Sequence, residues 1–518
     1  MKVRRLLFVC ALVLIAGSWT LALLSRRHQP AHIPRLPSVV EEPMTNSETC
    51  RQLELHHEFA GKGRSVELCY NERTCRGYFR ITTQNCEKAR RKLSRNAQLE
   101  AYMLQDLGPD VFRLHLDGPE AHAAMSRRAD PNRCVFIITI PEVARGGVYR
   151  VGLEWLYTDY HALDELSDMW PRLLKAPLLP LDTSFATNYH LQQMTLPSVL
   201  HLRCGLAPVQ SEGGPAATSE ATPLCTGLEN VTNGSWVRTS DLEDSPLVFT
   251  RVRVRKIQKQ PILFEWALQG ELPSTWQPKS CTMLSDDSLL RDVALHRKRI
   301  LVGGDSQLRA LYFGLVNVLE GFAMECVRNV SDLAGEPAHC HPNVKGSHRK
   351  RITAKGRDIQ VDFVDDLFLD RFGSGRYSGY DVVIIGFAQH PASKEHWSYD
   401  RYRGTLIPKL DKCQEMLKEG KLVVWYLTPQ YPHTRVGYPV VVKDWRTDPR
   451  LLLFNTLAKM EALRRGVPVV DGFSITTAMS HTSPDQAHFT NWVSYELVRA
   501  VLTVVMTNVS QVQARVKV

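Results

Sequence analysis

The 518-residue chain has no repeated CxxC spacing, so its twelve cysteines do not read as a zinc-ligand set. A GxGxxG turn is missing too, which removes the dinucleotide-binding fingerprint. There is no internal repeat, no long low-complexity tract, and no basic block with interleaved aromatic residues. Asp and Glu are absent from the first forty residues, where Lys2, Arg4, Arg5, Arg26, Arg27 and Arg35 hold six of the ten net positive charges. The remainder is only mildly basic, so a nucleic-acid partner is not expected. A composition of 44% hydrophobic and 23% charged residues fits a globular protein of about two to four domains.

What is present begins with one apolar run. Leu6 to Leu24 carries no charge and is long enough as a helix to cross a bilayer of about 30 Å. With basic residues on both flanks it predicts a cytoplasmic tail over 1–5, a signal anchor over 6–24 and a proline-containing stem over 25–49. Ala16 and Ser18 offer the alternative of a cleaved signal peptide and a secreted product. Either route predicts export, to the lumenal side of a Golgi or other secretory-pathway membrane. Disulfides among the cysteines beyond Cys10 fit that compartment, as do glycosylation sequons at Asn230, Asn233, Asn329 and Asn508.

Residues 50–95 hold Cys50, Cys69, Cys75 and Cys86, enough for two bridges in a small cap or an extension of the next domain. Over 96–200 the pattern is strand-like: Val111 to Leu116 alternates, Cys134 to Ile140 is a buried-strand run, and Gly147 to Trp155 alternates again. This predicts an antiparallel β-sandwich. Over 201–518 short apolar strands (Arg299 to Val302, Tyr380 to Ile385, Leu422 to Leu427, Val467 to Val470) alternate with helical stretches (Gln307 to Leu319, Arg401 to Glu419, Arg450 to Arg465, Asn491 to Met506). That order predicts an α/β domain with a parallel sheet sandwiched by helices and a site beyond the strands' carboxyl ends. Glu496 and Arg499 make the last helix a packing helix, not a second span.

The strongest chemical signal is ILVGGDSQLRALYFGLV, Ile300 to Val316: a strand, a Gly-Gly-Asp-Ser turn, then a helix. Ser306 falls where the hydroxyl is exposed and helix-start N–H groups face a developing negative oxygen. Asp305 and Ser306 are equally good helix caps, so the turn alone leaves both roles open. A serine nucleophile needs a histidine placed by a carboxylate. SPDQAHFTNW supplies Asp485 three residues before His488. His339, Cys340 and His341, with His348 nearby, form a His-Cys-His triplet whose adjacent side chains diverge, and no metal site is expected there. Trp425, Tyr426 and Tyr431 are placed either to stack on a sugar ring or to pack in the core.

STWQPKSCTM (Ser274 to Met283), GDSQLR (Gly304 to Arg309), YDVVIIGFAQH (Tyr380 to His390) and DQAH (Asp485 to His488), after TPLCTGLENVTNGSWVR (Thr222 to Arg238), resemble the PC-esterase branch of the SGNH/GDSL hydrolase superfamily. GGVYRVGLEWLY is similar to the closing part of filamin-type immunoglobulin-like domains, so the domain order is closest to the NXPE (neurexophilin and PC-esterase) family. The resemblance implies Ser306 as nucleophile, His488 as general acid/base and Asp485 as its orienting partner. It assigns oxyanion or substrate binding to Gly304, Arg309, Gly386, and Gln389 or His390, with Gly373 and Gly375 as candidates for a further glycine. The implied activity is O-acetyl transfer to glycan hydroxyls through an acyl-serine, with glycan O-acetylesterase and a non-catalytic glycan- or protein-binding module as alternatives. No bound cofactor is implied. Partners would be an acetyl donor such as acetyl-CoA, a glycan or glycoprotein acceptor and, through the anchor, the membrane and a donor transporter.

Overall fold

A computed structural model describes residues 49–55, 63–83, 110–130, 134–158, 188–193, 200–205, 222–228, 234–238, 250–253, 264–267, 274–285, 295–320, 346–353, 358–392, 397, 399–431, 448–480, 488–489 and 492–516. The first sheet is antiparallel in the order β1-β2-β3-β7-β6, with β1 Thr49–Gln52, β2 Ser65–Asn71, β3 Arg76–Thr82, β6 Arg127–Asp130 and β7 Val135–Thr139. The second has β4 Val111–Asp117, β5 Glu120–Met125, β8 Gly147–Thr158, β9 Asn188–Gln193, β10 His201–Cys204, β11 Gly234–Arg238 and β14 Ser274–Pro278. Its order is β10-β8-β4-β5-β11-β14, with β9 also on β8. A hairpin of β12 Thr250–Arg253 and β13 Phe264–Ala267 stands apart from these.

Alternation builds the sandwich. Val66, Leu68, Phe79, Ile81, Phe136 and Ile138 of the first sheet share one core with Phe112, Leu114, Leu116, Val151 and Leu153 of the second. A Cys50–Cys69 bridge joins β1 to β2, and Cys75–Cys204 ties the turn before β3 to β10. Cys75 therefore does not close a bridge within 50–95 as expected. Its partner is 129 residues away, where the sheets converge.

The third sheet runs β16-β17-β15-β18-β19-β20, from β15 Arg299–Gly304, β16 His348–Ile352, β17 Ile359–Asp365, β18 Val382–Ile385, β19 Leu422–Leu427 and β20 Val469–Asp471. All its pairings are parallel except that of the edge strand β16. β18 and β19 are buried throughout, which is why they read as unbroken apolar runs. On one face Ile300, Val302, Val361, Phe363, Ile384 and Val424 form a single core with residues of α1 Ser306–Glu320 and α6 Trp492–Val516. α2 Gln389–Ala392 follows β18; α3 Tyr399–Lys418 and α4 Asp448–Arg464 pack against β19, with the Tyr402 and Phe454 rings stacked at 4.1 Å between them. α5 Gly472–Thr477 follows β20. Cys413, inside α3, is a buried free thiol whose pKa burial pushes far up.

This architecture corrects the expected fold twice. First, the sandwich is not a domain that ends before the α/β part, because β11 pairs with β5 and β14 with β11, carrying the second sheet on to Pro278. Without β11 the edge of β5 would be open. Trp236 and Trp276, ring centroids 5.8 Å apart, sink into the α/β core, and Trp236 Nε1 donates to the Ile475 carbonyl at 2.7 Å. Arg113 of β4 also crosses over: it donates to Ser480 Oγ at 3.1 Å and stands 3.7 Å from the Asp448 carboxylate. Leu36–Val518 is accordingly one compact unit.

Second, among the described residues no helix is long and apolar enough to cross a membrane. The longest of them, α6, is held in the core along Val493, Leu497, Val501 and Val505. The expected tail and anchor over 1–24 lie outside the described residues. The signal anchor, the single-pass type II topology, the Golgi-membrane location and the membrane and transporter partners all rest on a spanning helix, and they are not carried further.

Candidate active site

β15 delivers Ser306 to the carboxyl edge of the third sheet. Its apolar residues anchor it between β17 and β18, and the chain then turns at Asp305 into α1. The approach of the strand ends needs glycine at two points, Gly304 before the turn and Gly386 after β18. A Cβ on Gly304 would strike the Leu308 side chain and come within 2.9 Å of the Gly386 carbonyl, and one on Gly386 would run into the Tyr426 carbonyl. Three strand ends are thus drawn together by close backbone approach.

The two roles left open at the turn are divided between neighbours. Asp305, 1% exposed, caps α1 by accepting the Gln307 N–H on Oδ1 at 2.9 Å. Ser306 is not spent on the cap: its Oγ lies 2.8 Å from Nε2 of His488. The two residues are 182 positions apart, and His488 is 7% exposed. Asp485 lies outside the described residues, so what the structure brings together is a serine–histidine dyad.

Around the dyad, Arg309 is 6% exposed, one turn into α1, with Nη1 3.6 Å from Asp365 at the end of β17. Burial lowers its pKa against the raising influence of Asp365 and Asp305. It braces the turn against the neighbouring strand end. The next residue, Asp366, donates its N–H to the Gly304 carbonyl at 2.9 Å, while its carboxylate accepts the N–H groups of Asp370 and Arg371 and the Tyr377 hydroxyl at 3.1 Å. Burial, then the Asp366 charge, pushes that phenol far up, so it stays a donor. It lies against Gly303, where a Cβ would meet it at 3.0 Å.

Gln389 opens α2 on the adjacent strand end, 4% exposed, with Oε1 buried and unbonded. His390 packs edge-on to Phe368 at 6.4 Å. Gly373 sits in a turn at φ 97°, and Gly375 begins a short 3-10 turn that places Tyr377. Three other groups singled out in the sequence have these places. Trp425, Tyr426 and Tyr431 are buried core residues, not a sugar platform. His348 stacks on Tyr312 and Phe363, while His339, Cys340 and His341 lie outside the described residues. Asn508 donates its side-chain amide to the Thr226 and Val504 carbonyls; Asn230, Asn233 and Asn329 lie outside the described residues.

Sequence reasoning missed Asp365, Asp366 and Tyr377. The available signal was an acid pair ending the alternating run Ile359–Asp365, the place where a parallel strand delivers side chains to a site. No protein-family profile matches the chain, and no curated protein matches it.

Proposed function

We propose that this chain is a serine O-acetylesterase acting on acetylated glycan hydroxyls, with Ser306 as nucleophile and His488 as general acid/base. The observation that carries the reading is the 2.8 Å approach of Ser306 Oγ to His488 Nε2 at the carboxyl end of a parallel sheet. In the proposed cycle Oγ attacks the acetyl carbonyl as its proton passes to Nε2. The tetrahedral intermediate then breaks the bond to the sugar oxygen, which leaves with that proton. Water gives a proton to the same nitrogen as it attacks the acyl-serine; the second tetrahedral intermediate breaks its bond to Ser306 Oγ, which takes that proton back from Nε2, and acetate leaves. The Ser306 N–H, at the first helical position, has no intrahelical acceptor, and it is the donor best placed for the oxyanion. Asp485 is proposed to orient the imidazole.

Hydrolysis is preferred to the expected acetyl transfer because water completes the cycle with the dyad alone. Transfer needs in addition an acyl donor and an acceptor pocket that excludes water, and neither is marked among the described residues. The test is acetate release from p-nitrophenyl acetate and from a panel of O-acetylated glycans, by wild type and Ser306→Ala. Release by wild type alone is the expected result. An acetyl group appearing on an added sugar would make the protein a transferase. Equal inactivity of both proteins across the panel would favour the binding module.

A further inference from the structure

The sequence contains the tetrapeptide His-Arg-Lys-Arg twice, at 296–299 and 348–351. Separated in the chain, the two are neighbours in the third sheet. Arg299 pairs with Gln360 of β17 from one side, and Arg351 pairs with the same Gln360 from the other. Paired residues share a face, so Arg299, Gln360 and Arg351 form a row across three strands, with the arginine backbones about 10 Å apart. Two residues further along β16, Arg349 pairs with Asp362 on that same face, about 7 Å from Arg351. The opposite face takes Ile352, Val361 and Ile300 into the core.

This face is exposed and positive. The Arg349 and Arg351 side chains are 73% and 71% exposed, and Arg297 is exposed beside them. Five cations, Arg297, Lys298, Arg299, Arg349 and Arg351, stand with three carboxylates, Asp358, Asp362 and Asp381, leaving a surplus of two, while Lys350 pairs with Val361 and belongs to the opposite face. One of those carboxylates is built in: Asp362, 3% exposed, holds Arg349 at 3.3 Å, Gln360 at 2.8 Å and Tyr380 at 2.6 Å on a single oxygen, while the other is buried without a partner. It fixes the donors in place. The Arg299 guanidinium lies over the Tyr380 ring, 4.8 Å from its centroid.

We propose that this face docks a linear polyanionic glycan carrying sulfate or carboxylate groups, presented to the site at the other end of the same strands. Arginine forks match both anions, and their spacing suits a regularly charged chain. The inference rests on the esterase reading for its substrate class, since it makes the substrate an acidic polysaccharide.

The experiment measures binding of heparin, chondroitin sulfate, neutral xylan and a single-stranded DNA to the full chain by calorimetry over a salt series. Wild type is compared with Arg297→Gln/Arg349→Gln/Arg351→Gln and with the charge-matched control Arg150→Gln/Lys418→Gln/Arg464→Gln, whose residues are exposed elsewhere. The face variant should bind the two acidic glycans about tenfold more weakly and with a shallower salt dependence. The control should bind like wild type, and xylan should not bind. Equal weakening in both triple variants, or tighter binding of DNA than of either glycan, overturns the proposal. Rates on p-nitrophenyl acetate separate the two readings. Activity lost in Ser306→Ala with glycan binding unaffected by the face variant keeps the esterase and sinks the docking face. Face-dependent glycan binding by a protein that cleaves no ester does the reverse.

Discussion

At the carboxyl ends of β15 and β18 the backbone itself lines the site, with Gly304 against Gly386 and Gly386 against the Tyr426 carbonyl, and the polar groups are few and withdrawn from solvent. At the amino end, and along the β16 edge, long charged side chains stand in solvent and share their counter-ions. The seam with the sandwich combines the two, since Arg113, Glu154 and Asp448 are charged yet largely withdrawn from water. Positioned chemistry needs groups that cannot move and are shielded from screening, whereas capture of a charged chain needs reach. The difference predicts a gradient in what substitution costs.

The largest effect falls on the dyad. Ser306→Ala should lower kcat/KM for an acetyl ester by about 1,000-fold or more, a loss above about 4 kcal/mol of transition-state stabilisation, with no change in the urea midpoint. Retention of a tenth of the activity would remove Ser306 from the mechanism. At the seam, Arg113→Ala should cost about 3 kcal/mol of unfolding free energy, because the guanidinium is lost from the buried Asp448 and the half-buried Glu154 together. Burial would raise the Glu154 carboxyl, but Arg113 and His115 outweigh it and hold it well below the usual carboxylate range. A carboxyl lowered in the folded state stabilises above its unfolded value and loses that contribution as pH falls towards the folded one. Wild-type stability should therefore decline below about pH 4.3, and the acid limb should flatten in Arg113→Ala, as read from urea curves at stepped pH.

Gly386→Ala tests the close approach, since the added methyl meets backbone that cannot swing away. A destabilisation of about 2 kcal/mol is expected, together with a fall in esterase rate as Gly304 shifts. Asp358→Asn closes the series. Its pair with Arg351 is exposed, so the thermal midpoint should not move measurably, but the freed guanidinium should hold heparin to a higher salt concentration. A large drop in the midpoint would mean that the amino end is structural and not a docking surface.

Local pattern made the serine legible, because an apolar strand, a Gly-Gly turn and an amphipathic helix are contiguous in 300–316. β19 matches its expected bounds, Leu422–Leu427, and α3, Tyr399–Lys418, lies within two residues of its own. His488 is joined to Ser306 by chemical need, a serine requiring a base beside a carboxylate, and by the family resemblance, since no local rule joins positions 182 apart. What stayed hidden is relational. Trp425 and Tyr426 end a strand, and strand position does not say that Phe387 and Gly472 cover them. β17 and β16 were overlooked because Asp362, Arg349 and Arg351 interrupt the apolar alternation on an uncovered sheet face. Arg309 looks like a surface residue until Asp365 arrives from the next strand.

The pairing of β11 onto β5, and of β14 onto β11, has a practical reach. A fragment beginning at residue 201 would part β10 from β8 and β11 from β5, while the complementary fragment would leave the edge of β5 unprotected. Neither half is expected to stay monomeric once separated. The sandwich and the α/β part therefore make one folding unit, so an insertion tolerated between them would have to leave both halves of that seven-stranded sheet free to find each other.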